Sequence, residues 1–361
     1  MNRLGGLGLV TTKNVNLLSS CSEKISAVLK DCVTKSIWVI TFAAQSGTGT
    51  NYNAFKAYEV SENGINSTPV VSSFNGIATQ EARGYLKLSP NGEKLAIANM
   101  GSGLFLFDFD VATGIVSNQQ NLNINTTSPR AYGIEFSPNS QLLYVHSSND
   151  QQSGSPSAHN STLSQFDLNA PNISASRVTL DQQQLYRGGL QLGPDGKIYR
   201  ALSATYEIGL PFLGVINNPN AVGLDCDYVH NAVALSPNLS SQGLPPFIQS
   251  IFNTQIDIIQ NDVNTVNLPL CEGQNYTLMA ENIIGASYTW TRDGVPLADN
   301  DFDLEVNQSG HYQVFIDLND GECDIEGQAF VSYTAVPIAN QPSKLFNCDD
   351  TTSSVFDLTL Q

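Results

Sequence analysis

Acidic side chains are the main candidates for metal binding or catalysis in this chain. The densest group is Asp299, Asp301 and Asp303, which alternate along one short segment. Carboxylate oxygens are ligands that Ca²⁺ prefers, so this segment is a candidate calcium site. Hairpin tips and edge strands also collect aspartate for turn geometry and solubility, and that interpretation stays open beside the first. The sequence predicts no other cofactor.

Carboxylates on separate strands could also serve as a catalytic pair. Asp108, Glu135 and Asp167 fall in strands of different repeat units. Hydrolysis of a glycosidic bond needs two carboxyl groups within about 10 Å of each other. Strand alternation and turn placement predict that these three side chains point outward instead. We therefore expect a non-enzymatic protein, and the alternative is a secreted hydrolase or lyase with carboxylates at a central channel.

Other reactive patterns are missing from the sequence. The six cysteines include no C-x-x-C pair, which argues against a zinc knuckle or a thiol redox motif. No G-x-S-x-G nucleophile motif occurs. The histidines lack zinc-binding spacing, so we expect structural or solvent-facing roles for His146, His159, His230 and His311.

Charge and composition exclude two classes of partner. The 361 residues include 33 Asp and Glu against 16 Lys and Arg, a net charge of −17. Such a surface repels nucleic acid and anionic headgroups, because binding polyanions requires Lys and Arg to displace counterions. No apolar run long enough for a membrane-spanning helix occurs. Only 14% of residues are charged, and the abundance of Asn, Ser, Thr and Gly favours short strands joined by turns, as in many extracellular proteins.

A repeated unit must position these residues. Its clearest copy runs from Gly84 to Asn99, and further copies begin at Tyr132 and Gly189. Each copy has an apolar-x-apolar strand, a Ser-Pro-Asn or Gly-Pro-Asp turn and a returning strand. The turns recur roughly every 50 residues, which is typical of four-stranded propeller blades. A β-sandwich with accidental proline turns is the alternative.

The repeats predict an all-β chain whose residues 1–255 form a WD40/YVTN-like β-propeller of about five blades. A degenerate copy around Trp38 and a fourth turn at Ser236 complete that count. Five blades are few for a closed ring, and an open ring exposes strand edges. We therefore expect N-terminal blades to be missing. The glycine-rich start of the chain lacks a signal-peptide pattern.

Residues 256–336 carry about seven short strands and predict an immunoglobulin-like or polycystic-kidney-type (PKD-like) β-sandwich. Trp290 lies between Cys271 and Cys323, as a tryptophan does in such domains. Val314 stands where an antibody domain has its second cysteine, two residues after Tyr312. With a secreted-looking composition, we expect a Cys271–Cys323 disulfide that joins the first and last strands.

Residues 337–361 predict the first strand of a further, truncated β module. Cys348 heads this strand, and its pairing stays open, a partner beyond the end of the given sequence being one alternative. The pairing of Cys21, Cys32 and Cys226 stays open.

Taken together, the chain resembles the large modular cell-surface proteins of Bacteroidota that use the type IX secretion system and end in a gliding-motility-associated (type B) sorting domain. The segments that carry this resemblance are Asn14 to Leu18, Glu23 to Ile25, Trp38 to Thr41, the three proline turns, Gly243 to Ile248, Leu270 to Gln274 and Cys348 to Leu360. The resemblance implies an exported protein, secreted or held at the cell surface, and assigns no reaction. The family's N-terminal signal and C-terminal sorting domain are missing from this sequence.

A binding role follows from this architecture. Rigid β scaffolds present variable loops, so we expect the propeller to bind a surface protein or polysaccharide and the sandwich to act as a spacer. The candidate binding loops are residues 45–52, 147–160 and 217–222.

Overall fold

The chain is all-β and forms two compact units. The computed structural model describes residues 13–31, 34, 36–151, 153–248, 254–260, 266–319 and 325–335. The first unit ends at Thr254 and the second begins at Gln255. Among the described residues, helical structure is limited to single 3₁₀ turns, and none is long and apolar enough to cross a membrane. Residues 337–361, where a further module is predicted, lie outside the described part.

Four antiparallel sheets follow one another along the described part of the first unit. Sheet 1 comprises β1 (Cys21–Asp31), β2 (Ser36–Ala43), β3 (Ala54–Ser61), β4 (Gly64–Ile65) and β5 (Val70–Ser73). Sheet 2 comprises β6 (Leu86–Leu88), β7 (Lys94–Asn99), β8 (Gly103–Asp110) and β9 (Ile115–Leu122). Sheet 3 comprises β10 (Arg130–Phe136), β11 (Leu142–Ser148), β12 (Ser161–Asp167) and β13 (Val178–Gln183). Sheet 4 comprises β14 (Leu190–Leu192), β15 (Ile198–Ser203), β16 (Gly209–Ile216) and β17 (Tyr228–Ala234).

The predicted proline turns connect the first two strands of sheets 2, 3 and 4. In sheet 2 the Ser89 hydroxyl accepts a hydrogen bond from the Lys94 amide at 2.9 Å. In sheet 3 the Ser137 hydroxyl accepts one from the Leu142 amide at 2.9 Å. The serine side chain thus closes the turn that proline begins, which explains why the two residues recur together.

Within the described residues the first unit forms four sheets, where the sequence predicts about five blades. The turn at Ser236 does not open a fifth sheet within the described residues. Instead, the chain returns along sheet 4, where the Ser240 amide donates to Leu210 O at 2.7 Å and the Gly189 amide donates to Gln242 O at 2.7 Å. The same local turn therefore ends a sheet here, because the strand that precedes it, β17, is the last strand of sheet 4 and not a first strand.

Successive sheets enclose separate apolar cores. Sheets 1 and 2 share a cluster that includes Trp38, Phe42 and Phe107. Sheets 2 and 3 enclose a second cluster, and sheets 3 and 4 a third, around Leu163 and Leu190. The apolar residues of each first strand face the preceding sheet, so each sheet buries the face of its predecessor.

Glycines allow the first strands to approach one another closely. A Cβ atom at Gly133, in sheet 3, would lie 2.1 Å from Gly188 O, and one at Gly188 would lie 2.4 Å from Ala201 O in its own sheet and 3.2 Å from His146 Nδ1 in sheet 3. No side chain can occupy such a space without moving backbone. The glycines before the apolar-x-apolar motif therefore determine the spacing between sheets 3 and 4.

Gly133→Ala is expected to lower the free energy of unfolding of the first unit by about 1–3 kcal/mol, because the new methyl group overpacks this contact. Urea unfolding, followed by Trp38 fluorescence in a Trp290→Phe background, measures the first unit alone. Gly154→Ala is the matched control, since a Cβ there meets nothing within 4 Å. Equal midpoints for the two variants would refute the close-approach explanation.

The second unit consists of two sheets around one core. The larger sheet has the order β18 (Thr254–Ile256), β25 (Ile325–Thr334), β24 (Gly310–Asp317), β21 (Ser287–Arg292) and β22 (Val295–Pro296). In the same sheet, β19 (Asn267–Cys271) runs parallel to β25. The smaller sheet pairs β20 (Tyr276–Met279) with β23 (Asp303–Val306). Trp290 is fully buried between them, and its indole N–H donates to Asp301 O at 2.9 Å.

Candidate functional site

Four polar residues occupy matching positions on the first strands of the four sheets, and we call them the axial residues: Ser26, Lys87, Glu135 and Gln191. The last three are the central residues of the apolar-x-apolar motif. The Ser26 hydroxyl accepts from the Leu88 amide at 3.0 Å, and Glu135 Oε2 accepts from the Leu192 amide at 2.9 Å. Each contact joins a first strand to that of the next sheet. The axial residues therefore connect the four sheets where their first strands meet.

Lys87 and Glu135 form a buried ion pair at this junction. Lys87 Nζ donates to Glu135 Oε2 at 2.9 Å and to Gln191 Oε1 at 2.7 Å. The side chain of Glu135 is 0% exposed and that of Lys87 8%. Glu135 Oε1 accepts from the Phe136 amide at 2.9 Å. Both carboxylate oxygens are therefore engaged by groups of the protein itself.

The prediction that Glu135 points outward is wrong. Strand alternation places Glu135 on the face opposite that of its two apolar neighbours. On a first strand, that opposite face meets the other first strands rather than solvent. Asp108 and Asp167 do lie at the periphery. Asp108 pairs with the half-exposed Lys94 at 2.6 Å, and Asp167 accepts from the Asn169 amide at 2.9 Å in a turn. The structure does not bring the three carboxylates together.

Glu135→Gln is expected to lower the free energy of unfolding of the first unit by about 3–5 kcal/mol, because it leaves the Lys87 charge buried without a counter-charge. Adding Lys87→Met should recover much of that loss. Asp108→Asn breaks an exposed pair and should change stability by under about 1 kcal/mol. The urea midpoints of these variants are measured by Trp38 fluorescence. If Glu135→Gln/Lys87→Met is no more stable than Glu135→Gln, a charge-pair role for these residues is contradicted.

A second charged group lies at the end of the sheets where the β11–β12 connection joins the segments that precede β6 and β14. We call it the arginine cluster: Glu81, Arg83, Asp150 and Arg187. Arg187 Nε and Nη2 donate to Asp150 Oδ1 at 2.9 and 2.7 Å. Arg83 Nη1 lies 3.6 Å from Asp150 Oδ2. One carboxylate therefore lies between two guanidinium groups.

The two arginines differ in their other partners. Arg83 binds both oxygens of Glu81, and this pairing holds the pKa of the Glu81 carboxyl at about 2. The Arg187 guanidinium carbon lies 4.6 Å from the centre of the Tyr186 ring and 5.6 Å from that of Tyr132. Arg187 is thus held between aromatic rings, where cation–π attraction adds to the ion pair.

His146, Arg200 and Asp181 form a third buried group between sheets 3 and 4. Arg200 Nε lies 3.1 Å from His146 Nδ1, and Arg200 Nη1 donates to Asp181 Oδ2 at 2.7 Å. His146 Nε2 lies 2.9 Å from Tyr186 O. Burial, together with the Arg200 charge, lowers the pKa of His146 to about 3. The imidazole is therefore neutral in the folded protein, with Nδ1 as acceptor and Nε2–H as donor.

This histidine should make the first unit less stable as pH falls. The unfolded chain binds a proton near the ordinary histidine pKa of about 6.5, whereas the folded chain does so only near 3. Stability is therefore lost between these values, by at most about 1.4 kcal/mol per pH unit from this group. His146→Gln should flatten the slope of unfolding free energy between pH 6.5 and 5, and His311→Gln should not. Parallel slopes for all three proteins would contradict this assignment.

Two groups at the arginine end complete the surface. The aromatic and aliphatic side chains of Tyr206, Ile208 and Leu239 are 61%, 51% and 59% exposed. The Tyr206 ring lies edge-on to Tyr186, with 6.1 Å between centroids. His159, in the β11–β12 connection, is buried against Tyr186, and its Nδ1 has no hydrogen-bond partner among the described residues. A buried polar atom without a partner calls for a water or a ligand group.

The predicted loops fall at both ends of the sheets. Residues 45–52 and 147–160 connect second to third strands, at the arginine end. Residues 217–222 connect β16 to β17 at the opposite end, where Asn220 accepts from the Asn139 amide at 3.1 Å. The arginine cluster is not among the residues predicted from the sequence. The sequence signal for it is that Arg83 and Arg187 both lie four residues before the central residue of an apolar-x-apolar motif, so the two arginines occupy equivalent positions in their repeats.

The second unit places Asp299 and Asp301 in a turn and Asp303 at the start of β23. Asp299 accepts from the Asp301 amide at 3.0 Å, and Asp301 accepts from the Phe302 amide at 2.8 Å. Within the described ranges no group of three or more His, Cys, Asp or Glu side chains is arranged to hold a metal ion. The carboxylates of Asp299, Asp301 and Asp303 are therefore not brought together.

The predicted Cys271–Cys323 disulfide stays a prediction. Cys271 is exposed and ends β19, while its predicted partner Cys323 lies outside the described residues.

Comparison with known proteins gives limited similarity. No protein-family model matches the chain, and no curated protein matches it. Among solved structures, hydrazine synthase of Kuenenia stuttgartiensis aligns with a TM-score of 0.37 and 14% identity, over 59% of this chain and 62% of that one. The Dos1 propeller aligns with a TM-score of 0.35 and 13% identity, over 60% of this chain and 47% of that one. The chain thus spans less than two thirds of either structure, and similarity at this level carries no argument about function.

Proposed function

We propose that the four sheets are blades of a β-propeller and that the second unit is an immunoglobulin-like sandwich. The meeting of four first strands at the axial residues supports the propeller. In the second unit, the Tyr312 hydroxyl donates to Gln308 O at 3.0 Å, which is the hydrogen bond of a tyrosine corner. The fully buried Trp290 on a central strand supports the same assignment.

We further propose that the protein is a non-catalytic, exported surface protein whose arginine end binds a protein or a glycan, with the sandwich as spacer. The observation that carries this proposal is the exposed patch of Tyr206, Ile208 and Leu239 beside the arginine cluster. Tyrosine and arginine dominate binding energy at interfaces, and clustered exposed apolar side chains mark contact surfaces. Here the patch adjoins Tyr186, whose ring contacts both Tyr206 and Arg187.

The enzymatic alternative has less support. A channel acid must exchange a proton with substrate, but Glu135 is fully buried and both its oxygens accept hydrogen bonds within the protein. Asp108 and Asp167 lie at the periphery of the sheets. These positions favour the non-catalytic proposal over a carboxylate pair at a channel.

A binding experiment tests the proposed binding surface at the arginine end. Glycan arrays and cell-surface protein extracts should reveal a ligand, and Tyr206→Ser/Ile208→Ser/Leu239→Ser should weaken its binding at least 10-fold, since about 1.4 kcal/mol suffices for that factor. Val222→Ser/Leu224→Ser removes exposed apolar groups at the opposite end and should leave affinity unchanged. Absence of any ligand, or equal losses in both variants, would overturn the proposal.

A further inference from the structure

The carboxylate of Asp150 occupies a position that the fold requires to be filled. Arg187 is 4% exposed, and a buried guanidinium without a counter-charge is strongly destabilising. Among the described residues, Arg187 forms an ion pair with Asp150 alone. By contrast, Arg83 has Glu81 from its own segment. The position between the arginines is thus a carboxylate subsite, filled here by a side chain of the same protein.

The residue that fills it comes from a connection with few other ties. We call this connection the Asp150 loop, described at residues 149–151 and 153–160. Its hydrogen bonds lie mainly within the loop, as between the Asn149 amide and Asn160 O at 2.9 Å. Its remaining residues are mostly small and exposed. The loop contacts its surroundings through the bonds of Asp150 to Arg187 and through the buried His159, whose ring packs edge-on against Tyr186.

One further group beside the subsite suits a sugar. The exposed Tyr206 ring stands edge-on to Tyr186, which also packs on Arg187. An aromatic face of this kind is a surface on which the apolar face of a sugar ring packs.

We propose that a glycan bearing a single uronic-acid carboxylate binds the arginine cluster by taking the position of Asp150, whose loop then moves away. The carboxylate accepts the paired hydrogen bonds of Arg187 and faces Arg83. A single carboxylate fits better than a polyuronate, because the net charge of −17 repels polyanions. This inference rests on the proposed binding function and names its ligand class.

The test uses a trisaccharide with one terminal glucuronic acid and the same trisaccharide with that carboxyl reduced to an alcohol. Asp150→Asn removes the internal competitor and should bind the acidic trisaccharide at least 10-fold more tightly than the wild-type chain. The reduced trisaccharide should bind neither protein. Asp150→Asn/Arg187→Gln should lose the gain, and Asp108→Asn should behave as wild type. Calorimetric titration measures all these affinities.

Hydrogen exchange on the wild-type chain keeps the test independent of variant folding. Saturating acidic trisaccharide should speed exchange of amides in the Asp150 loop, and the reduced sugar should not. Unchanged exchange, or a folded Asp150→Asn that binds no more tightly, would overturn the inference. So would a short glutamate peptide that binds as well as the sugar. If the trisaccharide fails while binding through Tyr206, Ile208 and Leu239 persists, this inference alone falls. If both kinds of binding are absent, the proposed binding function is overturned as well.

Discussion

The buried contact of Lys87 with Glu135 and Gln191 is the constraint on which the first unit depends. These residues come from three sheets and lie far apart in the chain, yet one ammonium group joins them. Because a buried charge is tolerated only when paired and fully hydrogen-bonded, the sheets must hold this geometry together. Glu135 extends the connection by accepting from the Leu192 backbone. The apolar clusters supply burial energy, whereas the ion pair specifies which first strands meet.

Close packing follows from the same requirement. The first strands can reach one another only where no side chain intervenes, and glycine at positions 133 and 188 meets that need. The buried Arg200 with His146 and Asp181 then ties the second strands of sheets 3 and 4 to the fourth strand of sheet 3. Polar networks of this kind gain strength in a low dielectric when every member has a partner. The first unit therefore has paired charged side chains in its interior in addition to the charged residues on its surface.

The arginine cluster uses the same physics at the surface. Arg187 needs a carboxylate as much as Lys87 does, but its partner Asp150 belongs to an exposed connection instead of a strand. A partner on a strand cannot be exchanged without unfolding, whereas a partner on a loop can be replaced by a ligand of the same charge. This difference separates the structural ion pair from the candidate binding site.

The all-β class, the four-stranded period and the proline turns are readable from the amino-acid order alone, because alternation and turn chemistry are local properties that short segments carry whole. That order also indicates that Asp108 and Asp167 lie at the periphery. Three features emerge only in the folded chain: Glu135 is buried, the turn at Ser236 ends a sheet, and Arg83 and Arg187 meet at Asp150. Each of these depends on which segments become neighbours. A side chain's environment is set by strands distant in sequence, and strand alternation describes only the two faces of its own strand.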